Sequence, residues 1–153
     1  MQNLSVTGNM TLSSLARFSS GFHIREKSEA LAVGEQINDL SIKAPNGDTP
    51  IKALSGGNQQ KVVIGKGLMT EPKVLLMDEP TRGIDVAAKG DVFRIVRALS
   101  AKGLGVVFVT SELKEILAIS DRVVVLSKGH ITGVFDRSEA SEEKLVAASA
   151  ALF

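Results

Sequence analysis

Leu54-Ser55-Gly56-Gly57-Asn58-Gln59-Gln60-Lys61 and, further along, Val74-Leu75-Leu76-Met77-Asp78-Glu79-Pro80 are the two stretches that decide how this chain folds. The first sets a serine and two glycines ahead of Asn58 to Met69, where Val62, Val63, Ile64 and Leu68 suit a buried helix that Thr70-Glu71-Pro72 stops. Glycines let another backbone approach closely, and the free N–H groups of a helix start attract an anion. The second reads as a buried hydrophobic strand that carries two adjacent carboxylates to its C-terminal end, where open α/β sheets place their ligands. Such a pair suits a hard cation and a water. Asp78 is the candidate Mg²⁺ ligand, directly or through water, and Glu79 the group that orients or deprotonates the attacking water of a phosphoryl transfer. Alone, Ser-Gly-Gly is most simply a helix cap and Asp-Glu-Pro a solvated turn. Their combination, in this order and context, outweighs both bland readings.

Outward from these stretches the chain changes rhythm. Residues 1–20 mix helical and alternating spacings and read as a loop followed by a short helix. From Ile24 to Leu40, Leu31, Ile37 and Leu40 recur among charges, the pattern of an amphipathic helix. Pro45 to Pro50 is a dense turn cluster. After residue 72, short valine-rich runs alternate with stretches of helical length, as in a parallel sheet covered by helices. Val74 to Met77 is the first strand, Val86 to Ala101 the crossover helix, with Val92, Ile95, Val96 and Leu99 three and four apart, and Gly103 its stop. Val106 to Val109 is the next strand, and Glu112 to Ile119 a short helix with Ser111 as N-cap. Arg122 to Leu126 and His130 to Phe135 form a hairpin about Lys128-Gly129, Ser141 to Ala150 is a closing helix, and Ala148 to Phe153 fray. The expected division is a helical part, 1–72, and an α/β part, 73–153.

Composition narrows the function classes. The 153 residues carry 18 Lys plus Arg against 17 Asp plus Glu, a net charge of +1, which disfavours nucleic acid as the main partner. There is no cysteine, so disulfides and thiolate-held metals are excluded. The longest apolar runs fall far short of the roughly 18 residues that span a bilayer. The Ser/Thr/Asn-rich start, with Arg17 as its first basic residue, lacks the pattern of a secretory signal. His23 and His130 have no ligand pattern beside them and read as solvated, as does the Arg25–Glu29 helix face; Arg82 reads as a surface arginine.

Together the two motifs resemble the ATP-binding subunits of ABC transporters, whose signature is LSGGQ and whose Walker B strand ends in Asp-Glu-Pro-Thr. The resemblance runs over essentially the whole chain. It is sharpest for bacterial carbohydrate importers with two ATPase domains in one polypeptide, where LSGGNQQKVVIGKGLMTEPKVLLMDEPTRGIDVAAK is similar to the second domain. It implies ATP and Mg²⁺ as cofactors, and an α/β fold of P-loop ATPase type with a helical signature subdomain and an incomplete, mainly parallel sheet. Ser55, Gly56, Gly57, Asn58 and Gln59 become signature residues that bind ATP held by an opposing ATPase domain. Asp78 becomes the magnesium carboxylate, Glu79 the catalytic base, and Asp85, in Gly83-Ile84-Asp85, a D-loop residue of the domain interface. Transmembrane permease subunits are the implied further partners, facing the helical region, with the protein cytoplasmic and peripheral at the inner face of the membrane.

Two departures from the family pattern carry consequences. No G-x-x-x-x-G-K-[ST] occurs; the one Gly-Lys pair, Gly65-Lys66, lies inside the signature helix. The chain is therefore expected to be the C-terminal part of one ATPase domain, inactive on its own, with uncovered sheet edges that favour self-association. At the switch-histidine position of the family stands Ser111, which cannot become cationic. Losing one charge-assisted hydrogen bond costs about 1.5–3 kcal/mol, roughly ten- to a hundredfold in rate if it acts only in the transition state. The site built on this chain's own carboxylates is thus expected to be impaired, and the one its signature completes to be competent. The alternatives are a non-transport ABC ATPase of the DNA-repair or translation type, and a non-enzymatic interaction module derived from the family.

Overall fold

The computed structural model describes residues 1–20 and 23–150. Its elements, in chain order, are α1 (Val6–Thr11), α2 (Leu15–Phe18), the short strands β1 (Ser19–Ser20) and β2 (His23–Ile24), and α3 (Glu26–Asp39). A 3₁₀ turn (Ile51–Ala53), α4 (Gly56–Leu68), β3 (Val74–Asp78), α5 (Val86–Ala101) and β4 (Gly105–Val109) follow. The last are α6 (Leu113–Ile119), β5 (Arg122–Ser127), β6 (His130–Asp136) and α7 (Glu142–Ser149). The chain divides into two compact units: Met1–Leu75 with Thr81–Val106, and Leu76–Pro80 with Val107–Phe153.

In the first unit α1 exists because Ser5 caps it, its side chain accepting from the Gly8 N–H. Residues 1–20, expected to be a loop followed by a short helix, hold two short helices, α1 and α2. Val6 and Met10 are fully buried, and α1 packs on α3 and α4, joining a core with Val33, Leu40, Ile51, Val62 and Ile64. The turn cluster at 45–50 folds back on α1: the Val6 and Thr7 N–H groups donate to the Thr49 and Gly47 carbonyls at 2.9 and 2.8 Å. Helix α5 buries Val92, Ile95 and Val96, as their spacing predicts, and Gly103 ends it with a φ of +87°. Apolar residues expected inside that are exposed here include Leu31 at 71%, Val63 at 54% and Val74 at 52%.

Strands β3 and β4 pair with each other. Gly105 N–H donates to the Lys73 carbonyl at one end and Glu79 N–H to the Val109 carbonyl at the other, so they run parallel. Strand β3 alternates, with Leu75 and Met77 buried and Val74, Leu76 and Asp78 exposed; the expectation of a strand buried on both faces is corrected.

In the second unit β5 and β6 form an antiparallel hairpin, Val124 opposite Val134 and Leu126 opposite Ile131. Lys128 and Gly129 both have positive φ, +49° and +83°, as a two-residue hairpin turn requires. Packing of α7 on the hairpin buries Val123 and Leu145, and Ser141 caps α7 through the Lys144 N–H. Val124, Leu126, Ile131 and Val134 are all exposed. Fraying is expected from Ala148, but Ala148 and Ser149 belong to α7, and residues 151–153 lie outside the described residues. No helix among the described residues is long and apolar enough to cross a membrane.

Candidate functional site

The first unit carries the glycine-led helix start. Ser55 stands at the N-cap of α4, yet its side chain bonds no backbone amide; its Oγ instead accepts from Asn58 Nδ2 at 2.9 Å. The first-turn amides of Gly56, Gly57 and Asn58 have no intrahelical acceptor and no cap from Ser55, and Ser55 and Gly56 are exposed. A start of this kind presents N–H groups and a partial positive charge to solvent. Asn58 and Gln59 have side chains committed to the fold: Asn58 Oδ1 accepts from the Lys43 N–H at 2.8 Å, and Gln59 Nε2 donates to the Leu54 carbonyl at 2.9 Å. They hold the turn in shape; of the two backbones, Asn58 keeps an open N–H, whereas the Gln59 N–H is bonded to the Ser55 carbonyl at 2.9 Å.

The segment after β3 returns to this turn. A Cβ built on Gly56 would sit 3.6 Å from Ile84 Cγ2, and one on Gly57 only 2.5 Å from Ala88 Cβ. Gly57 is thus a packing requirement of the α4–α5 contact. Gly56, Gln59, Gln60, Arg82, Gly83 and Ile84 line a hollow of about 300 Å³. Asp85 is the N-cap of α5, its Oδ1 accepting from the Ala88 N–H at 2.9 Å. The structure therefore gathers Ser55, Gly56, Gly57, Asn58, Gln59 and Asp85 within one unit.

Asp78, Glu79 and Ser111 belong to the second unit. Asp78 ends β3 exposed, and its carboxylate makes no hydrogen bond or ion pair among the described residues. Mg²⁺ is usually held by one or two carboxylates, with water and phosphate oxygens completing its shell, so a free carboxylate fits it. No group of three or more ligating side chains occurs among the described residues.

Glu79 is fixed from several sides. Its N–H donates to the Val109 carbonyl at 2.8 Å, its Oε1 accepts from the Ser111 N–H at 3.1 Å, and its Oε2 lies 3.4 Å from Thr110 Oγ1. Its φ is +45°, in the left-handed region that a residue with a Cβ enters at a cost of about 1–2 kcal/mol. Ser111 thus meets Glu79 through its backbone. It does not cap α6: the N-cap is Glu112, whose N–H donates to Thr110 Oγ1 at 3.1 Å. That corrects the cap expected from sequence, because the Thr110 hydroxyl takes the local turn for itself.

Sequence reasoning missed Thr110 and Glu115. Thr110 Oγ1 lies 2.9 Å from Oε2 of Glu115, which is only 4% exposed although it is an acid on a seven-residue helix. A glutamate in the first turn of a helix is ordinary, so only its burial marks it. His23 and His130 are exposed, as expected.

Solved structures share the fold. An ATP-binding cassette of an ABC transporter matches over 98% of this chain and 64% of its own, with a TM-score of 0.80 at 24% identity. A second ATP-binding cassette, solved as a dimer in a post-hydrolysis state with ADP and Pi, matches over 90% of this chain and 58% of its own, with a TM-score of 0.74 at 22% identity. The chain has the fold of these cassettes and spans less than two thirds of the length of each. The sequence pattern of the family described as ABC transporter matches residues 1–82, more than half of the 153. The chain belongs to the ABC transporter family.

Proposed function

We propose that this chain is the signature-bearing part of an ATP-binding cassette that couples ATP binding and hydrolysis to the import of a carbohydrate through transmembrane permease subunits, at the inner face of the membrane. The observation that carries this reading is the uncapped start of α4: Ser55 leaves the first-turn amides open, at a turn held by Asn58 and Gln59. An opposing cassette would place the γ-phosphate of its ATP there, closing the dimer over the nucleotide. On the other side of the division of labour, Asp78 would bear on Mg²⁺, Glu79 would take the proton of the attacking water, and Asp85 would stand at the dimer interface. The carbohydrate assignment rests on the similarity of Asn58-Gln59-Gln60-Lys61 and Thr81-Arg82-Gly83-Ile84-Asp85 to sugar importers.

Hydrolysis at Glu79 is weak in this reading, because Ser111 offers a backbone amide where the family offers a histidine. The experiment is ATPase assay of the chain joined to a complementary cassette that carries a P-loop. Turnover that depends on Ser55 supports the reading; turnover indifferent to it removes this chain from the site.

A further inference from the structure

The turn between α3 and the 3₁₀ segment holds the chain's one Asn-Gly pair, Asn46-Gly47. Asn46 is exposed, and its Oδ1 accepts two hydrogen bonds from residues that follow it, from the Asp48 N–H at 3.1 Å and from Thr49 Oγ1 at 3.3 Å. The Gly47 N–H donates to no acceptor among the described residues. Packing fixes glycine at this place, because a Cβ on residue 47 would meet Thr7 Oγ1 at 2.3 Å. An asparagine amide followed by a glycine nitrogen sets an electrophile next to a nucleophile, with no Cβ to shield the approach.

We propose that Asn46-Gly47 is a self-modification site, at which the Gly47 nitrogen, on losing its proton to water, attacks Asn46 Cγ. The new N–Cγ bond closes a succinimide ring and the charge gathers on Oδ1; the Cγ–Nδ2 bond then breaks as Nδ2 takes a proton from water and leaves as ammonia. Water adds to either carbonyl of the ring and opens it, leaving at position 46 an aspartate in the ordinary linkage or in the β-linkage. Nothing is oxidised or reduced, and water is the only co-reactant. The Asp48 N–H and the Thr49 hydroxyl already sit where that charge develops, as preorganised donors do wherever a carbonyl carbon turns tetrahedral. Asn3, Asn9, Asn38 and Asn58 precede Leu4, Met10, Asp39 and Gln59, whose side chains crowd the nitrogen.

The β-linked product lengthens the main chain by one methylene just where the turn meets α1. The Gly47 carbonyl accepts from the Thr7 N–H at 2.8 Å, the Thr49 carbonyl accepts from the Val6 N–H at 2.9 Å, and Ser5 bridges to Pro50. A turn lengthened there loses register with both amides. Modification therefore releases the start of α1, where Val6 is fully buried.

The test is incubation of the 153-residue chain at mildly alkaline pH, with peptide mass spectrometry to read amide-to-acid conversion at each asparagine and electron-transfer fragmentation to identify the β-linkage. Asn46 is expected to convert ahead of Asn3, Asn38 and Asn58 in the same molecules. Thr49→Val removes one donor to Oδ1 and is expected to slow conversion about two- to tenfold, the size of one hydrogen bond, whereas Thr49→Ser keeps the hydroxyl and the rate. Conversion at Asn46 no faster than at the other asparagines, or a rate indifferent to Thr49→Val, would overturn the proposal. Amide hydrogen exchange at Val6 and Thr7 reads the consequence. It should quicken in the β-linked fraction and stay slow in Asn46→Ser, which keeps an acceptor for the Asp48 N–H and has no amide to lose. Unchanged protection in the β-linked fraction, or an equal loss of protection in incubated Asn46→Ser, would overturn the release of α1.

Discussion

The Lys61 ammonium lies 2.6 Å from Asp91 Oδ2 and also donates to the Ser41 carbonyl at 3.1 Å, so one nearly buried cation ties α4 to α5 and to the turn after α3. Asp91 is paired with Arg94 as well. Its carboxyl is held below the ordinary aspartate range chiefly by the hydrogen bond from Lys61, with burial opposing and the charges of Lys61, Arg94 and Lys43 assisting. Asp91→Ala is expected to cost about 2 kcal/mol in denaturant unfolding, below the 3–5 kcal/mol typical of a fully buried pair because the Asp91 side chain is 34% exposed. Since the folded carboxyl titrates below the unfolded one, its stabilisation is complete above an unfolded value of about 3.9 and fades as pH falls through the folded value. The gap between wild type and Asp91→Asn should therefore narrow on acidification from about pH 6 to about pH 2.

Gly57 and Gly90 are both helical, yet alanine should act on them in opposite directions. At Gly57 the new methyl would meet Ala88 Cβ at 2.5 Å, and overpacking of this kind costs about 1–3 kcal/mol. At Gly90 nothing lies within 4 Å of a new Cβ, so alanine should gain about 0.5–1 kcal/mol from helix propensity. Thermal melts of the two variants decide this, and a neutral Gly57→Ala would mean that α4 and α5 separate easily.

Ser55→Arg should abolish the ATPase of the assembled protein, whereas Glu79→Gln should reduce it less. In the proposed function the first change fills the open start of α4 offered to the opposing nucleotide, and the second disables a site with no histidine at position 111. Equal losses in initial-rate assays would refute this asymmetry.

By itself the chain is expected to bind no Mg-ATP up to about millimolar concentration in calorimetric titration, a Kd corresponding to about −4.1 kcal/mol. It should self-associate through the exposed hairpin face of Val124, Leu126, Ile131 and Val134. Light scattering should give a mass that rises with concentration, and Leu126→Lys with Ile131→Glu should hold it at the monomer value. Micromolar binding of nucleotide would overturn the first expectation, and an unchanged mass in the double variant the second.

Helix α5 was readable from three- and four-residue spacing, and the hairpin from Lys128-Gly129, because in both the signal is local. Helix α1 was not, since six residues hold too few turns for a period to show and Ser5 has many possible roles. Leu31 and Leu76 mark a different limit: spacing shows which residues share a face, and only packing shows what covers it. At the candidate site, Ser55, Asp78 and Glu79 declared themselves by type and order. Thr110 and Glu115 did not, because a hydroxyl and an acid five residues apart acquire meaning only when the chain brings Glu79 within reach of the hydroxyl that Glu115 also meets.

If Glu79 is the base of the proposed function, its positive φ sets heat resistance and chemistry against each other at a single codon. Glycine adopts that backbone freely, so Glu79→Gly should release about 1 kcal/mol of strain while erasing the carboxylate. A library selected only for survival at high temperature would drift toward glycine at position 79, and one selected for turnover would not. Which residue each selection keeps at position 79 would thus report whether the carboxylate serves turnover.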